Sequence, residues 1–139
     1  MCCKVITIPE LNKPADVWCT HCKPGKGCTI YQSRPDVCKA YTCLWLHDET
    51  IPDFMKPSES KIVLDMIENE GKRFVRAMTS YGHRRLVDAG TKQREILEQM
   101  SFTLPVLIET SSTDRIQVVN GVSIRMKEEN STWTPEEPA

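Results

Sequence analysis

The chain has no cysteine after Cys43, yet seven up to that point: Cys2, Cys3, Cys19, Cys22, Cys28, Cys38 and Cys43. Aromatics are scarce, with three Trp, three Tyr and three Phe in 139 residues, so any core must rest on aliphatic side chains. No apolar run is long enough to span a bilayer, which argues against a membrane partner. A net charge of −1 leaves no bulk attraction to nucleic acid or to an anionic surface. The amino-terminal Met-Cys-Cys-Lys lacks a charged leader with an apolar stretch and a small-residue cleavage site, so a cytoplasmic chain is expected. No nucleotide-binding loop and no paired acids stand out, and an enzyme reading has no positive support.

What is present is a block of thiols. Apolar content of 40% and charge of 27% fit one globular domain with a modest core. Residues 1–43 carry six basic and three acidic side chains, and the remainder twelve and sixteen, so the block is locally cationic before any metal binds. Clustered thiols build a metal site, a disulfide framework or a redox centre. A reducing compartment disfavours disulfides, and the odd count argues weakly against a closed set.

Three stretches are expected: a cysteine-rich metal-binding lobe over 1–48, a small α+β part packed on it over 49–127, and a disordered acidic tail over 128–139. Residues 1–32 read as loops broken by Pro9, Pro14, Pro24, Gly25 and Gly27, with a short strand possible at Val5–Ile8. Ser33-Arg34-Pro35-Asp36 reads as the start of a helix running to Leu46. Ile51 to Ser60 reads as a polar connector. Beyond it, Lys61–Ile67 and Arg73–Met78 suggest a hairpin turning at Gly71. Thr91 suggests the cap of a helix to Met100, and Val106–Glu109 a short strand. Asn120-Gly121 suggests a type I′ turn between Arg115–Val119 and Val122–Met126. The fold class is therefore α+β: a loop-rich lobe, a helix, short antiparallel hairpins and a second helix.

The Cys19-x2-Cys22 knuckle allows two thiolates to reach one ion from a tight turn, with two more ligands closing a tetrahedron. Adjacent Cys2 and Cys3 point different ways in regular backbone. Cys38 and Cys43, five apart, lie off a common helix face, so either the helix is distorted or the two thiols serve different atoms. Seven thiols exceed one tetrahedral zinc. Two ions, one ion with spare thiols, or an iron–sulfur cluster remain open. His21 sits inside the knuckle and reads better as an exposed turn residue than as a ligand. His47 reads as a helix-end residue and His83-Arg84-Arg85 as a solvated basic spot. Trp18, Tyr41 and Trp45 can shield a metal or simply form core, and in a small lobe the two coincide. Arg34 can pair with Asp36 or approach a thiolate.

The stretch Leu11 to Cys19, followed by Gly27-Cys28-Thr29-Ile30-Tyr31-Gln32-Ser33-Arg34-Pro35-Asp36-Val37-Cys38-Lys39-Ala40-Tyr41-Thr42-Cys43-Leu44-Trp45, resembles the YkgJ-type cysteine-cluster family, described as a bacterial zinc- or iron-chelating domain. The likeness is firm over residues 2–46 and loose beyond. Members often carry a further cysteine ahead of the Cys-Cys pair, and Met1 stands there here. The resemblance implies metal chelation and no reaction. Trp18-Cys19-Thr20-His21-Cys22 also reads as a redox motif. However, that motif opens a helix, and Lys23-Pro24-Gly25-Lys26-Gly27 breaks one. The expectation is a cytoplasmic, thiolate-coordinated metal protein using Cys3, Cys19, Cys28, Cys38, Cys43, Cys22 and Cys2. Zinc is the first choice of metal, iron or an iron–sulfur cluster the alternative, and a metal-trafficking or partner-binding module a third reading. Cys28, Cys38 and Cys43 carry the most specific spacing, and Cys2 and Cys22 are the first to drop for a single ion.

Overall fold

Proline and glycine keep the elements of the first 48 residues short in the computed structural model, which describes residues 1–111, 114–129 and 132–136. Helix α1 spans Cys2–Val5, where a strand over Val5–Ile8 was anticipated. Ile8 keeps only a single antiparallel bridge, to Lys13. Strands β1 (Cys22–Lys23) and β2 (Gly27–Cys28) form a two-residue ladder. Its turn places Gly25 at φ +80° and Gly27 at φ +105°, values that glycine adopts without a Cβ clash. The helix anticipated from Arg34 to Leu46 is divided. Helix α2 covers Asp36–Ala40, capped at Pro35 with no side-chain bond from Ser33, and a 3-10 turn covers Leu44–Leu46. Tyr41 breaks it by turning extended, which lets its hydroxyl reach Asp65 at 3.1 Å. A tertiary contact here overrides local helix preference.

The stretch Ile51–Ser60 is not a polar connector. Ile51 and Met55 are buried, a 3-10 turn spans Asp53–Met55, and helix α3 spans Pro57–Ser60. The buried Ser60 hydroxyl donates to the Met55 carbonyl (3.0 Å) and accepts from the Ile62 amide (3.1 Å). It thus satisfies the backbone where the chain enters the sheet.

Six strands follow with one more helix: β3 (Ile62–Asn69), β4 (Lys72–Thr79), α4 (Lys92–Met100), β5 (Val106–Ser111), β6 (Asp114–Val119), β7 (Val122–Glu129) and β8 (Thr132–Pro135). They lie in sequence order in one sheet. Only β4 and β5 run parallel, joined by the crossover that contains α4. The fold is a small single-domain α+β structure with a mixed sheet. Both anticipated hairpins form, and their turns hold Glu70-Gly71 and Asn120-Gly121 with positive φ at each residue, as a type I′ turn requires. Of the tail anticipated to be disordered, Glu128–Glu129 and Thr132–Pro135 are paired strand. Positions 130, 131 and 137–139 lie outside the described residues.

Strand alternation divides the molecule. One face of the sheet carries Ile62, Leu64, Val75, Ala77, Val106, Ile108 and Val118, packed with Leu97 of α4 and with Ile51 and Met55. On the other face, Val63 and Met78 stand opposite one another and cluster with Val5, Met1, Ile6, Tyr41 and Cys43. The cysteine lobe therefore sits on the side of the β3–β4 hairpin away from α4. Among the described residues no helix is long and apolar enough to cross a membrane.

Candidate metal centre

Five of the seven cysteines, Cys2, Cys3, Cys19, Cys28 and Cys38, line one cavity of about 250 Å³ in the lobe. Short local elements deliver them. Cys2 and Cys3 lie on α1, and the Cys3 carbonyl accepts the Cys19 amide at 2.9 Å. The Cys19 carbonyl accepts the Cys22 amide at 3.0 Å, which closes the knuckle turn. Cys28 stands opposite Cys22 in the β1–β2 ladder, and Cys38 comes from α2. Ile6, Ile8, Ile30 and Val37 also line it, as does Tyr41, which packs against the Val63 and Met78 cluster on the sheet.

Two of the anticipated ligands stand apart from this lining. Cys43 packs into the apolar cluster of Val63 and Met78. Cys22 is displaced from the cavity wall but close enough to hydrogen-bond Cys3. The helix is broken between Cys38 and Cys43, which is the distorted-helix alternative left open by their spacing. None of His21, His47 and His83 lines the cavity. The His21 carbonyl accepts from the Thr29 amide and hydroxyl, His47 closes the Leu44–Leu46 turn, and His83 Nδ1 lies 2.8 Å from the Ser80 hydroxyl. Of the three aromatics considered as shields, only Tyr41 lines the cavity. Trp45 packs on the main core, and Trp18 is partly exposed beneath Lys4.

All seven thiols are free. Cys2 is lowered to about 6, chiefly by the hydrogen bond from the Cys3 thiol. The same pairing pushes Cys3 upward, helped by burial and by the charge on Cys2. Cys38 is raised by burial first and then by the neighbouring thiols Cys19, Cys2 and Cys28. Thiols crowded in this way resist losing protons together, and a cation removes that resistance. As they stand, no three His, Cys, Asp or Glu side chains among the described residues converge closely enough to hold an ion. A tetrahedral zinc needs four donors with sulfur about 2.3 Å from the ion, whereas these sulfurs sit around a cavity wall.

The spacing of the cysteines hides several polar partners. Lys13 is buried, and its ammonium donates to the carbonyls of Lys4 and Pro14, each at 2.9 Å, and to that of Ile6. Burial lowers its pKa, while the thiols of Cys19 and Cys3 act in the opposite sense. A single ammonium thus fastens α1 to the segment before the knuckle and sets positive charge beside the sulfurs. On the sheet, Arg76 grips the buried Asp65 with Nε (2.9 Å) and Nη2 (2.5 Å), and the Tyr41 hydroxyl joins the same carboxylate. Arg34 lies 3.9 Å from the Tyr31 ring centroid, donates Nη1 to the Tyr31 carbonyl at 2.9 Å, and lines the cavity. Of the two partners open to Arg34, Asp36 is not among the ion pairs of the described residues. Alternation on β3 and β4 could have flagged Asp65 and Arg76 as an inward pair. Nothing local marks Lys13.

Comparison of this chain with protein-family models, with curated proteins and with solved structures gives no match.

Proposed function

We propose that this protein binds metal through the thiolates of its amino-terminal lobe, as a cytoplasmic cysteine-cluster protein of the YkgJ type, with zinc as the first metal. The observation that carries the reading is the convergence of Cys2, Cys3, Cys19, Cys28 and Cys38 on one cavity. Five thiols from four separate segments line it together, and an all-sulfur donor set suits zinc, copper(I) and iron–sulfur chemistry. The likeness to that family rests on the stretches Leu11–Cys19 and Gly27–Trp45, of which the second is the more specific. Cys22 and Cys43, outside the lining, are left out of the first ligand set. Binding requires the sulfurs to draw inward, and Cys19 lies in a loop while Cys28 sits at the end of the two-residue strand β2.

The cavity volume favours a second reading. About 250 Å³ exceeds what one ion clasped by four sulfurs needs, and it accommodates a polynuclear iron–sulfur cluster. The two readings separate on anaerobically purified protein by elemental analysis per chain and by colour, since zinc–thiolate protein is colourless. Cys28→Ser and Cys38→Ser should each lose at least half of the bound metal, whereas Cys43→Ser should keep it. Less than half an equivalent of any metal in a sample whose lobe is fully ordered would overturn the proposal.

A further inference from the structure

The lobe cavity has more room and more kinds of lining than a metal site alone uses. Besides the five cysteines, its lining holds the aliphatic side chains of Ile6, Ile8, Leu11, Ile30 and Val37 and one guanidinium, that of Arg34. That guanidinium lies over the Tyr31 ring, and Nη1 donates to the Tyr31 carbonyl, two contacts that restrain it. The Nε–Nη2 edge has no carboxylate partner among the described residues. A guanidinium restrained in this way has already lost part of the rotamer freedom that binding would otherwise cost, and its remaining edge matches a carboxylate in bidentate fashion. Tyr31, 59% exposed, and Val37, 39% exposed, leave the rim open to solvent.

We infer that this cavity is also a small-molecule site, taking a monocarboxylate whose apolar body lies against Ile6, Ile8, Ile30 and Val37 while Arg34 holds its head. The volume lies just below the roughly 300–1,000 Å³ of drug-sized pockets, so the ligand is small. One guanidinium pairs with one negative charge better than with two, which favours a carboxylate over a phosphate. The inference rests on the proposed metal centre only for the character of the sulfur lining.

The test is calorimetric titration of the full chain, with the metal content of each sample measured, using octanoate as the probe and octanol, octylamine and octyl phosphate as comparisons. Octanoate should bind at one per chain, at least tenfold tighter than each of the other three. Arg34→Ala should weaken it at least tenfold and Arg34→Lys by less. Val37→Trp should block it by filling the cavity with Arg34 intact. Saturable octanoate binding that both Arg34→Ala and Val37→Trp leave unchanged would overturn the site, as would no octanoate binding to a metal-replete sample. Octyl phosphate binding tighter than octanoate would overturn the choice of head group. If the protein proves metal-free yet binds octanoate with the expected dependence on Arg34, the carboxylate site stands and the metal proposal fails.

Discussion

Tyr41 joins the cysteine lobe to the sheet at a single buried carboxylate. Its hydroxyl donates to Asp65, which Arg76 already holds by two bonds. Burial first, and then the Asp65 charge, push the Tyr41 pKa well above the ordinary phenol value. The folded protein therefore keeps this proton where the unfolded chain, titrating near 10, gives it up. The unfolded state then binds fewer protons, so stability falls as pH rises above about 10, with a slope limited to about 1.4 kcal/mol per pH unit. Tyr41→Phe should remove that alkaline slope and cost on the order of 1 kcal/mol at neutral pH through the lost hydrogen bond. Urea melts of both proteins between pH 7 and 11 measure it, and parallel pH curves for the two would contradict the assignment. Alternation on β3 and β4 can flag Asp65 and Arg76, but their bond to Tyr41 was not legible in the sequence. Cysteine spacing marks which residues carry chemistry, but the partner of Tyr41 lies 24 positions away, and only the pairing of β3 with β4 brings Asp65 and Arg76 under it. The same holds for Cys43. Its spacing groups it with Cys28 and Cys38, yet the extended backbone at Tyr41 turns it into the apolar cluster of Val63 and Met78.

The β6–β7 hairpin shows where local chemistry suffices and where it stops. Asn120 and Gly121 adopt φ of +48° and +77°, and the Ser101 carbonyl and hydroxyl take up their two amides at 3.1 and 2.8 Å. A Cβ at Gly121 would lie 3.1 Å from the Phe102 ring, so Gly121→Val combines left-handed strain with a steric contact. We expect it to destabilise the fold by about 1–3 kcal/mol, read as a lowered urea midpoint with unchanged slope. Gly71→Ala has the same φ of +77° but nothing within 4 Å, and should cost only the strain. Elements specified by such turns, by the Thr91 cap that accepts the Arg94 amide at 3.1 Å, and by strict alternation were legible in advance. The helix over Arg34–Leu46 and the polar connector at Ile51–Ser60 were not. Each is a short segment whose conformation is set by what it packs against: Tyr41 turns toward the sheet, and Ile51 and Met55 enter the main core.

At the scale of the whole molecule the two faces of the sheet have unequal support. The main core gathers eleven buried residues, Ile51 to Val118, and draws none from residues 1–43. The lobe is anchored by a much smaller cluster in which Val5 is its one buried member, alongside Val63 and Met78 of the sheet, and by the bonds of Lys13 and Tyr41. A loop-rich segment with so little apolar burial of its own needs another source of order. Structural zinc bound to thiolates supplies on the order of 10 kcal/mol in small domains. If the lobe thiols hold a metal, that energy falls almost entirely on residues 2–43 and hardly at all on the sheet. Chelation should therefore separate the halves. Amide hydrogen exchange after treatment with a strong chelator should rise toward unprotected rates through α1, β1, β2 and α2, while β3 to β6 and α4 keep their protection. Acid should reproduce the pattern, because protons compete with the metal for the same sulfurs. Equal loss of protection across the lobe and the β3–β4 hairpin would mean that the lobe is integral to the main core. No change anywhere, in a sample shown to have lost its metal, would mean that Lys13 and the Val5 cluster hold the lobe unaided.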